Sequence, residues 1–380
     1  MSAVARDLGG LHVLMTADAV GGAWTYALDL AHGLAAAGVR TTLVVLGPAP
    51  GPDQRADAAA VPGLRLVVPG LPLDWLAESP GAVETAGRAV ADMAAEVGAA
   101  LVHLNSPALA AGVRFPAPVV GVCHSCLATW WEAVREGVPM PPEFRWRTAL
   151  LARGYAAVDA LVAPSAAFAA ATARHHGLRE APVTVHNGRR SHGPAAAAED
   201  LPDAAFTAGR LWDEGKNLAA LDRAAAGLDM PVLAAGPTEG PNGAGIALRH
   251  LQGLGPLHGP AIAEHLARRP IYVSTALYEP FGLAVLEAAQ AGCALVLSDI
   301  PSFRELWGGA AAFVPPRDED AIRDALLRLR RDRERRRRFG VAARERARRY
   351  SLDAMTVGVL GVYRRVLGGE AVPVGRGAAA

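Results

Sequence analysis

Short apolar runs alternate with helical patterns along almost the whole chain, and this alternation constrains the fold more than any other feature. LHVLMT at 11–16 reads as a buried strand. The segment after it, GGAWTYALDLAHGLAAAG, sets Trp24, Leu28, Ala31 and Leu34 on one helical face, with Gly38 as a stop. The strand series continues with TTLVVL at 41–46, LRLVV at 64–68, ALVHL at 100–104, PVVGV at 118–122 and ALVAP at 160–164. Helical segments lie between several of them, near 81–97, 144–157 and 166–176. Strands that are apolar from end to end are buried on both faces, which points to a parallel, doubly wound α/β sheet.

After PVTVHNG at 182–188 the pattern breaks. RRSHGPAAAAEDLP, 189–202, has no periodicity and reads as an interdomain linker. A second alternating series then runs through AAFTAG at 204–209, PVLAAG at 231–236, PIYVST at 270–275, CALVLS at 293–298 and AAAFVP at 310–315. With 380 residues the chain exceeds what one core organises, and a hydrophobic fraction of 51% supplies two. The expectation is two Rossmann-like domains, 1–188 and 203–350, facing a central cleft. A C-terminal helix at 351–368 is expected to pack back on the first domain, ahead of a poorly ordered tail. In such sheets ligands bind beyond the carboxyl ends of the strands.

A net charge of +1 offers no global field to attract nucleic acid, so any phosphate site must be local. No stretch reads as a signal peptide or a membrane span, and a cytoplasmic location is expected. The Arg-rich tract 323–349 has interspersed acids and no aromatic interleaving. It reads as a solvated helical face, or as a peripheral contact with an anionic membrane. Three cysteines, Cys123, Cys126 and Cys293, are too few for a disulfide framework. The C-x-x-C in GVCHSCLATWW leaves three readings: a zinc ligand pair, a redox pair, or two small residues at a strand end.

Two segments carry the chemistry. In YEPFGLAVLEAAQAG, 278–292, Pro280 fits the first turn of a helix whose body runs from Phe281 to Ala291. Glu279 then lies in the loop after a strand, Glu287 lies about two turns into the helix, and Gly282 permits close backbone approach beside free N–H groups. A phosphate-sized anion fits there; a capping acid and an arginine partner would give the same pattern. In AGRLWDEGKN, 208–217, Arg210 and Lys216 converge on one side of a loop, and Asn217 could cap the following helix. A planar fork and a compact point charge suit a diphosphate grip. Lys216 is the only lysine in the chain, which marks it for a role that arginine does not fill. GPTEGPNGAG, 236–245, reads as a flexible loop or as a second backbone approach to phosphate or base.

Together these segments resemble retaining glycosyltransferases of family 4, of the GT-B fold. The resemblance rests on Gly209, Arg210, Lys216 and Asn217, then Glu279, Pro280, Phe281, Gly282, Leu283 and Glu287, in the order that a G-R…K-[GN] loop and an E-x7-E element require. It extends to VGGAWTYALDLAHGLAAAGVRTTLVV, to APSAAF at 163–168, to HNG at 186–188 and to SDIPSFRE at 298–305. It implies that Arg210 and Lys216 bind the diphosphate of a UDP- or GDP-sugar in place of a metal ion. It implies that Glu279 holds the donor sugar, with Gly209, Asn217, Phe281, Gly282 and Leu283 around the donor, Glu287 on the ribose and Gly22 near the phosphate. By the same resemblance His124 stands beside the reacting centre, while Asn105, Trp130 and Trp131 are candidates for the hydroxyl acceptor. Trp130 and Trp131 could equally anchor their loop. Two departures stand out: Asn105 where many relatives carry a second histidine, and Arg189 where an acidic residue often follows Asn187–Gly188.

The implied activity is transfer of a sugar from a nucleotide donor to a hydroxyl group, by front-face attack with retention and without a cofactor. Three alternatives remain. A nucleotide-sugar epimerase would act without an acceptor. A phosphorylase would need Lys216 as a Schiff-base lysine. A non-catalytic nucleotide-sugar binding protein would have no need of the complete acid and base set.

Overall fold

The computed structural model describes residues 8–190 and 201–369. Most of the expected linker, 191–200, and the tail from 370 onward lie outside the described residues. The chain divides into two compact units, one formed by Met1–Gly188 with Leu352–Ala380 and the other by Arg189–Ser351.

In the first unit the apolar runs become β1 (His12–Asp18), β2 (Arg40–Leu46), β3 (Leu64–Val67), β4 (Leu101–Leu104), β5 (Val119–Val122), β6 (Ala160–Ala163) and the short β7 (Val183–Thr184). All pair in parallel, in the order β3-β2-β1-β4-β5-β6-β7. The connecting helices are α1 (Gly22–Ala36), α2 (Pro52–Ala59), α3 (Pro80–Glu96), α4 (Leu127–Val134), α5 (Pro142–Ala157) and α6 (Ala166–His176). Side chains of β1 alternate between two cores: Val13, Met15 and Ala17 enter one, with α1, and Leu14 enters the other, with Val83, Ala86 and Val90 of α3.

The second unit repeats the plan with β8 (Ala205–Ala208), β9 (Val232–Ala235), β10 (Gln252–Gly255), β11 (Ile271–Ser274), β12 (Leu295–Ser298) and β13 (Ala311–Val314). Their order is β10-β9-β8-β11-β12-β13, again all parallel. Its helices are α7 (Leu218–Ala225), α8 (Gly259–Ala267), α9 (Leu283–Ala291), α10 (Pro301–Trp307), α11 (Glu319–Arg331) and α12 (Arg333–Ala347). The edge strand β10, with sequence QGLG, has no apolar run for sequence reading to find. The last helix, α13 (Leu352–Leu367), belongs to the first unit, where Met355, Val359, Leu360 and Tyr363 join the core of α1.

The Arg-rich tract forms α11 and α12, and most of its arginines are exposed or half-exposed. Arg336 is the exception at 2% exposure, donating to the carbonyls of Pro202 (2.8 Å) and Arg269 (2.7 Å). Burial lowers its pKa to about 10. The expected fully solvated face is therefore interrupted by one arginine that ties two loop ends together.

No helix among the described residues is long and apolar enough to cross a membrane. Helix packing in the second unit is tight at Gly340 on α12, where a Cβ would stand 2.3 Å from the Gly292 carbonyl oxygen. At Gly361 on α13 an added Cβ meets nothing. Gly340→Ala is thus expected to lower the unfolding midpoint, by a penalty of about 1–3 kcal/mol. Gly361→Ala is expected to raise stability by up to about 1 kcal/mol through helix propensity. Thermal melts of the two variants check this pair of opposite signs.

Candidate functional site

In each sheet the strand order reverses at one point, and loops at such a point form the natural crevice. In the second unit that point lies between β8 and β11. The loops after these two strands are Gly209–Asn217 and Thr275–Gly282, the two segments singled out for their chemistry.

Backbone hydrogen bonds join the loops. The Gly215 carbonyl accepts the N–H groups of Leu277 (2.9 Å) and Tyr278 (3.2 Å). Asn217 Nδ2 donates to the carbonyls of Thr275 (2.9 Å) and Pro316 (2.6 Å), and Thr275 Oγ1 donates to the Asn217 carbonyl (3.1 Å). Asn217 sits in the left-handed region at φ 55°, which explains why glycine or asparagine suits this position. Both donor contacts of its Nδ2 go to backbone carbonyls of the same unit. Asn217 makes no side-chain cap to α7.

The stitching brings Lys216 Nζ into a short ion pair with Glu279 Oε2. Arg210 Nη2 pairs with Asp213 Oδ2 at 2.8 Å, and its guanidinium lies 5.6 Å from the Trp212 ring centroid. Arg210 Nε is buried and makes no hydrogen bond among the described residues. Burial alone would raise the Asp213 carboxyl, but the charges of Arg210 and Lys216 and the hydrogen bonds from Arg210 and the Gly215 N–H outweigh it. The Asp213 pKa consequently lies below the usual carboxylate value. Sequence reading passed over this carboxylate between two cations; the D-x-G turn was its signal, with Asp213 Oδ1 accepting the Gly215 N–H at 2.9 Å.

The helix after β11 starts later than expected. Pro280 and Phe281 are in the loop, and α9 begins at Leu283 with Gly282 as its N-cap at φ 91°. No side chain caps this end, and the first intrahelical bond runs from Leu286 N to Gly282 O. Among the described residues the leading N–H groups have no side-chain cap, and such a helix start favours negative charge. A Cβ on Gly282 would stand 3.4 Å from Glu279 Cγ, so Lys216 and Gly282 both adjoin Glu279. Ser302 Oγ fixes the Glu279 carbonyl at 2.5 Å. The Phe281 ring, expected near the donor, is 2% exposed and meets Tyr350 edge-on at 5.6 Å; it belongs to the core. Leu283 is half-buried. Glu287, in the second turn of α9, is paired with Arg189, Nη2 to Oε1 at 2.6 Å.

Gly209 and Gly236 meet closely, since a Cβ on Gly236 would lie 1.8 Å from the Gly209 carbonyl oxygen. The glycine-rich segment beyond is an ordered turn rather than a loose loop: Gly240 N donates to Ala244 O (2.8 Å) and Ile246 N to Thr238 O (3.0 Å). It packs on Trp212, whose Cδ2 lies 2.6 Å from a Cβ built at Gly240.

In the first unit the reversal lies between β1 and β4. Gly22 is exposed at the start of α1, just beyond β1. Asn105, just beyond β4, donates from Nδ2 to the Thr16 carbonyl (2.7 Å) and from its backbone N to Thr16 Oγ1 (3.0 Å). The carbonyl can only accept, so the amide orientation is settled and Asn105 Oδ1 must accept from His124 Nε2–H at 2.8 Å. Asn105 thus aims His124, where the sequence suggested acceptor binding. Burial lowers the His124 pKa to about 4, leaving a neutral ring at pH 7 whose Nδ1 carries the lone pair. Tyr26 meets this ring edge-on at 4.6 Å. Behind it, fully buried His103 lies between Tyr363 of α13 (OH to Nδ1, 2.7 Å) and Tyr26 (OH to Nε2, 3.5 Å). Burial, reinforced by His124, lowers the His103 pKa to about 3. Sequence reading missed this network, because its members lie far apart in the chain.

Cys123 and Cys126 are buried, and burial raises both thiols. Cys126 caps α4, its sulfur accepting from Thr129 N at 3.4 Å. This is the reading of small residues at a strand end. Trp131 anchors the following loop through Nε1 to the Val138 carbonyl (2.7 Å) and packs on Phe144. Half-buried Trp130 lies within 5.9 Å of Arg135.

The chain matches two family models: Glycosyltransferase Family 4 over residues 20–189 and Glycosyl transferases group 1 over residues 249–346. It is 32% identical over 128 residues to a phosphatidyl-myo-inositol mannosyltransferase of Mycolicibacterium smegmatis, covering 33% of each chain. Its likeness to the protein of that name from Mycobacterium leprae is 31% over 126 residues, covering 32% of this chain and 34% of the other. The match thus spans about a third of the length of these relatives. Among solved structures, sucrose-phosphate synthase from Thermosynechococcus elongatus superposes with a TM-score of 0.77 at 18% identity, covering 95% of this chain and 100% of that one. Anabaena HepE in complex with UDP-glucose gives 0.72 at 17% identity, covering 93% and 99%. These likenesses establish the fold.

Both histidines are held neutral, so the unfolded chain binds more protons than the native one below the ordinary histidine value. Stability is therefore expected to fall as pH drops from about 6.5 towards 4, by up to about 1.4 kcal/mol per pH unit for each ring. Urea unfolding at pH 7, 6 and 5 measures this slope, and His103→Gln should flatten it.

Proposed function

The chain belongs to glycosyltransferase family 4, and on that footing we propose that it moves a hexosyl group from a nucleotide-diphosphate sugar to a hydroxyl acceptor, with retention and without a metal ion. The observation that carries this reading is the convergence of Lys216, Glu279 and the uncapped start of α9 on one spot beside the strand reversal. A cation, a carboxylate and free N–H groups are the three elements that a sugar diphosphate needs: charge for phosphate, acceptors for sugar hydroxyls, and donors for phosphate oxygens.

On this reading the diphosphate takes Lys216 Nζ and the Arg210 guanidinium, whose Nε has no acceptor among the described residues. Glu279, released from Lys216, receives hydroxyls of the sugar, and Glu287 receives the ribose. Breaking the anomeric C–O bond builds positive charge on the sugar and negative charge on the departing phosphate. Fixed cations beside that phosphate act where charge develops, so they favour the transition state over the bound donor. The leaving phosphate accepts the proton of the attacking hydroxyl on the same face of the sugar, which retains the anomeric configuration. His124 offers a lone pair on Nδ1 to a substrate hydroxyl. Gly22, at the start of α1 in the first unit, is exposed and carries no side chain.

UDP- and GDP-sugars are the proposed donors; the UDP-glucose complex of HepE supports the first. The mannosyltransferases named above support a hexose, and a polysaccharide, a glycolipid or a small metabolite remain the acceptor classes. Contact of exposed arginines of α11 and α12 with an anionic membrane would suit a glycolipid.

Lys216→Ala should lower kcat/KM about 10²–10³-fold in protein that still melts cooperatively; near-normal turnover would remove the diphosphate role. Excess EDTA should leave the rate unchanged. Wild-type protein with UDP or GDP at a hundred times Kd should be stabilised by about 2.7 kcal/mol in a thermal-shift assay.

A further inference from the structure

Arg189 stands where the family resemblance leads one to expect an acid, and the structure gives it a defined partner. Its Nη2 meets Glu287 Oε1 at 2.6 Å, with side-chain exposures of 15% and 20%. The arginine is itself held from several sides. Its backbone N donates to the Tyr350 carbonyl (3.3 Å), and it forms a bridge with Ser351. Its carbonyl accepts from Gln290 Nε2 at 3.3 Å. Gln290 lies one turn beyond Glu287, so α9 grips Arg189 by backbone and side chain on a single helical face.

Resting on the ribose role proposed for Glu287, we infer that Arg189 is the positioning residue for this carboxylate, and that it thereby makes the site select ribonucleotides over nucleotides lacking the ribose hydroxyls. A glutamate has three rotatable bonds, and two hydroxyls can be matched only by a carboxylate held in one orientation. The Arg189 pair, Nη2 to Oε1, supplies that orientation, and a carboxylate with two oxygens has acceptor capacity beyond one N–H for the diol. An exposed ion pair would hold little. This one is largely buried, and removing Arg189 would leave a half-buried carboxylate without its partner.

Titration calorimetry tests the inference with UDP and GDP, each against its 2′,3′-dideoxy analogue. Wild-type protein should prefer the ribonucleotide by about tenfold or more, since the dideoxy analogue leaves the carboxylate unmatched. In Arg189→Met, which keeps the aliphatic stem, and in Arg189→Ala, the preference should fall to about threefold or less, while Arg189→Lys keeps most of it. The ratio is the informative quantity, because a general loosening of the fold weakens both ligands alike. Glu287→Gln should also collapse the ratio. If it does while Arg189→Met and Arg189→Ala keep the wild-type ratio, Arg189 does not position Glu287 and the ribose role stands. If Glu287→Gln keeps the wild-type ratio, the ribose role is wrong and the inference fails with it. Melting curves confirm that each variant is folded, and the methionine variant carries the test if the alanine variant is not.

Discussion

One carbonyl oxygen, that of Gly215, receives two N–H groups from the neighbouring loop, and the arrangement of the second unit's site follows from it. A parallel sheet leaves its loops at one edge, but it does not by itself say which residues meet there. The bonds from Leu277 and Tyr278 do, because they bring the end of one loop against the middle of the other. The reciprocal bonds of Asn217 and Thr275 lock the same seam from its far side. Lys216 and Glu279, 63 residues apart in sequence, are then neighbours. The loops that carry them are thus joined by the protein's own hydrogen bonds, and the two side chains satisfy each other's charge.

The two units present different chemistry at their strand reversals. The second unit gathers full charges: Arg210, Lys216, Asp213 and Glu279 within two loops. The first unit presents neutral hydrogen-bonding groups, with His124 aimed by Asn105 and backed by Tyr26 and His103. On the proposed function this is a sensible division. Phosphate needs charge, whereas a hydroxyl needs a lone pair of defined direction that does not itself titrate near neutrality.

Much of this was legible in the sequence, for a physical reason. Strands buried on both faces leave long apolar runs, so most strands could be placed to within a residue or two, and QGLG of β10, exposed at the sheet edge, could not. Loops that follow strands were legible because their glycines and charges stand in fixed order. What failed was what depends on three-dimensional contact. The start of α9 moved to Leu283 because Gly282 takes a positive φ that ends the loop there. Phe281 lies inside a functional motif, yet its ring fills the core. The bonds of Asn105 to Thr16 and His124 join residues far apart in the chain, which no local pattern announces. Arg336 lies in an arginine run that reads as solvent-facing, and only its bonds to distant carbonyls reveal its burial. Pairings such as Arg189 with Glu287 leave no local signature at all.

The contact between Gly236 and Gly209 sets a boundary for remodelling this chain. A Cβ at Gly236 has no space beside the Gly209 carbonyl, whereas one at Gly209 meets no atom and is opposed only by that residue's positive φ of 150°, so Gly236 is the position that a mutant library should leave alone. The turn beyond it is different. Pro241, Asn242 and Gly243 are exposed, and they hang from a ladder that already closes on Trp212. Length and composition can vary at that tip while the seam beneath stays as it is, which makes it the place to graft new recognition onto an old scaffold.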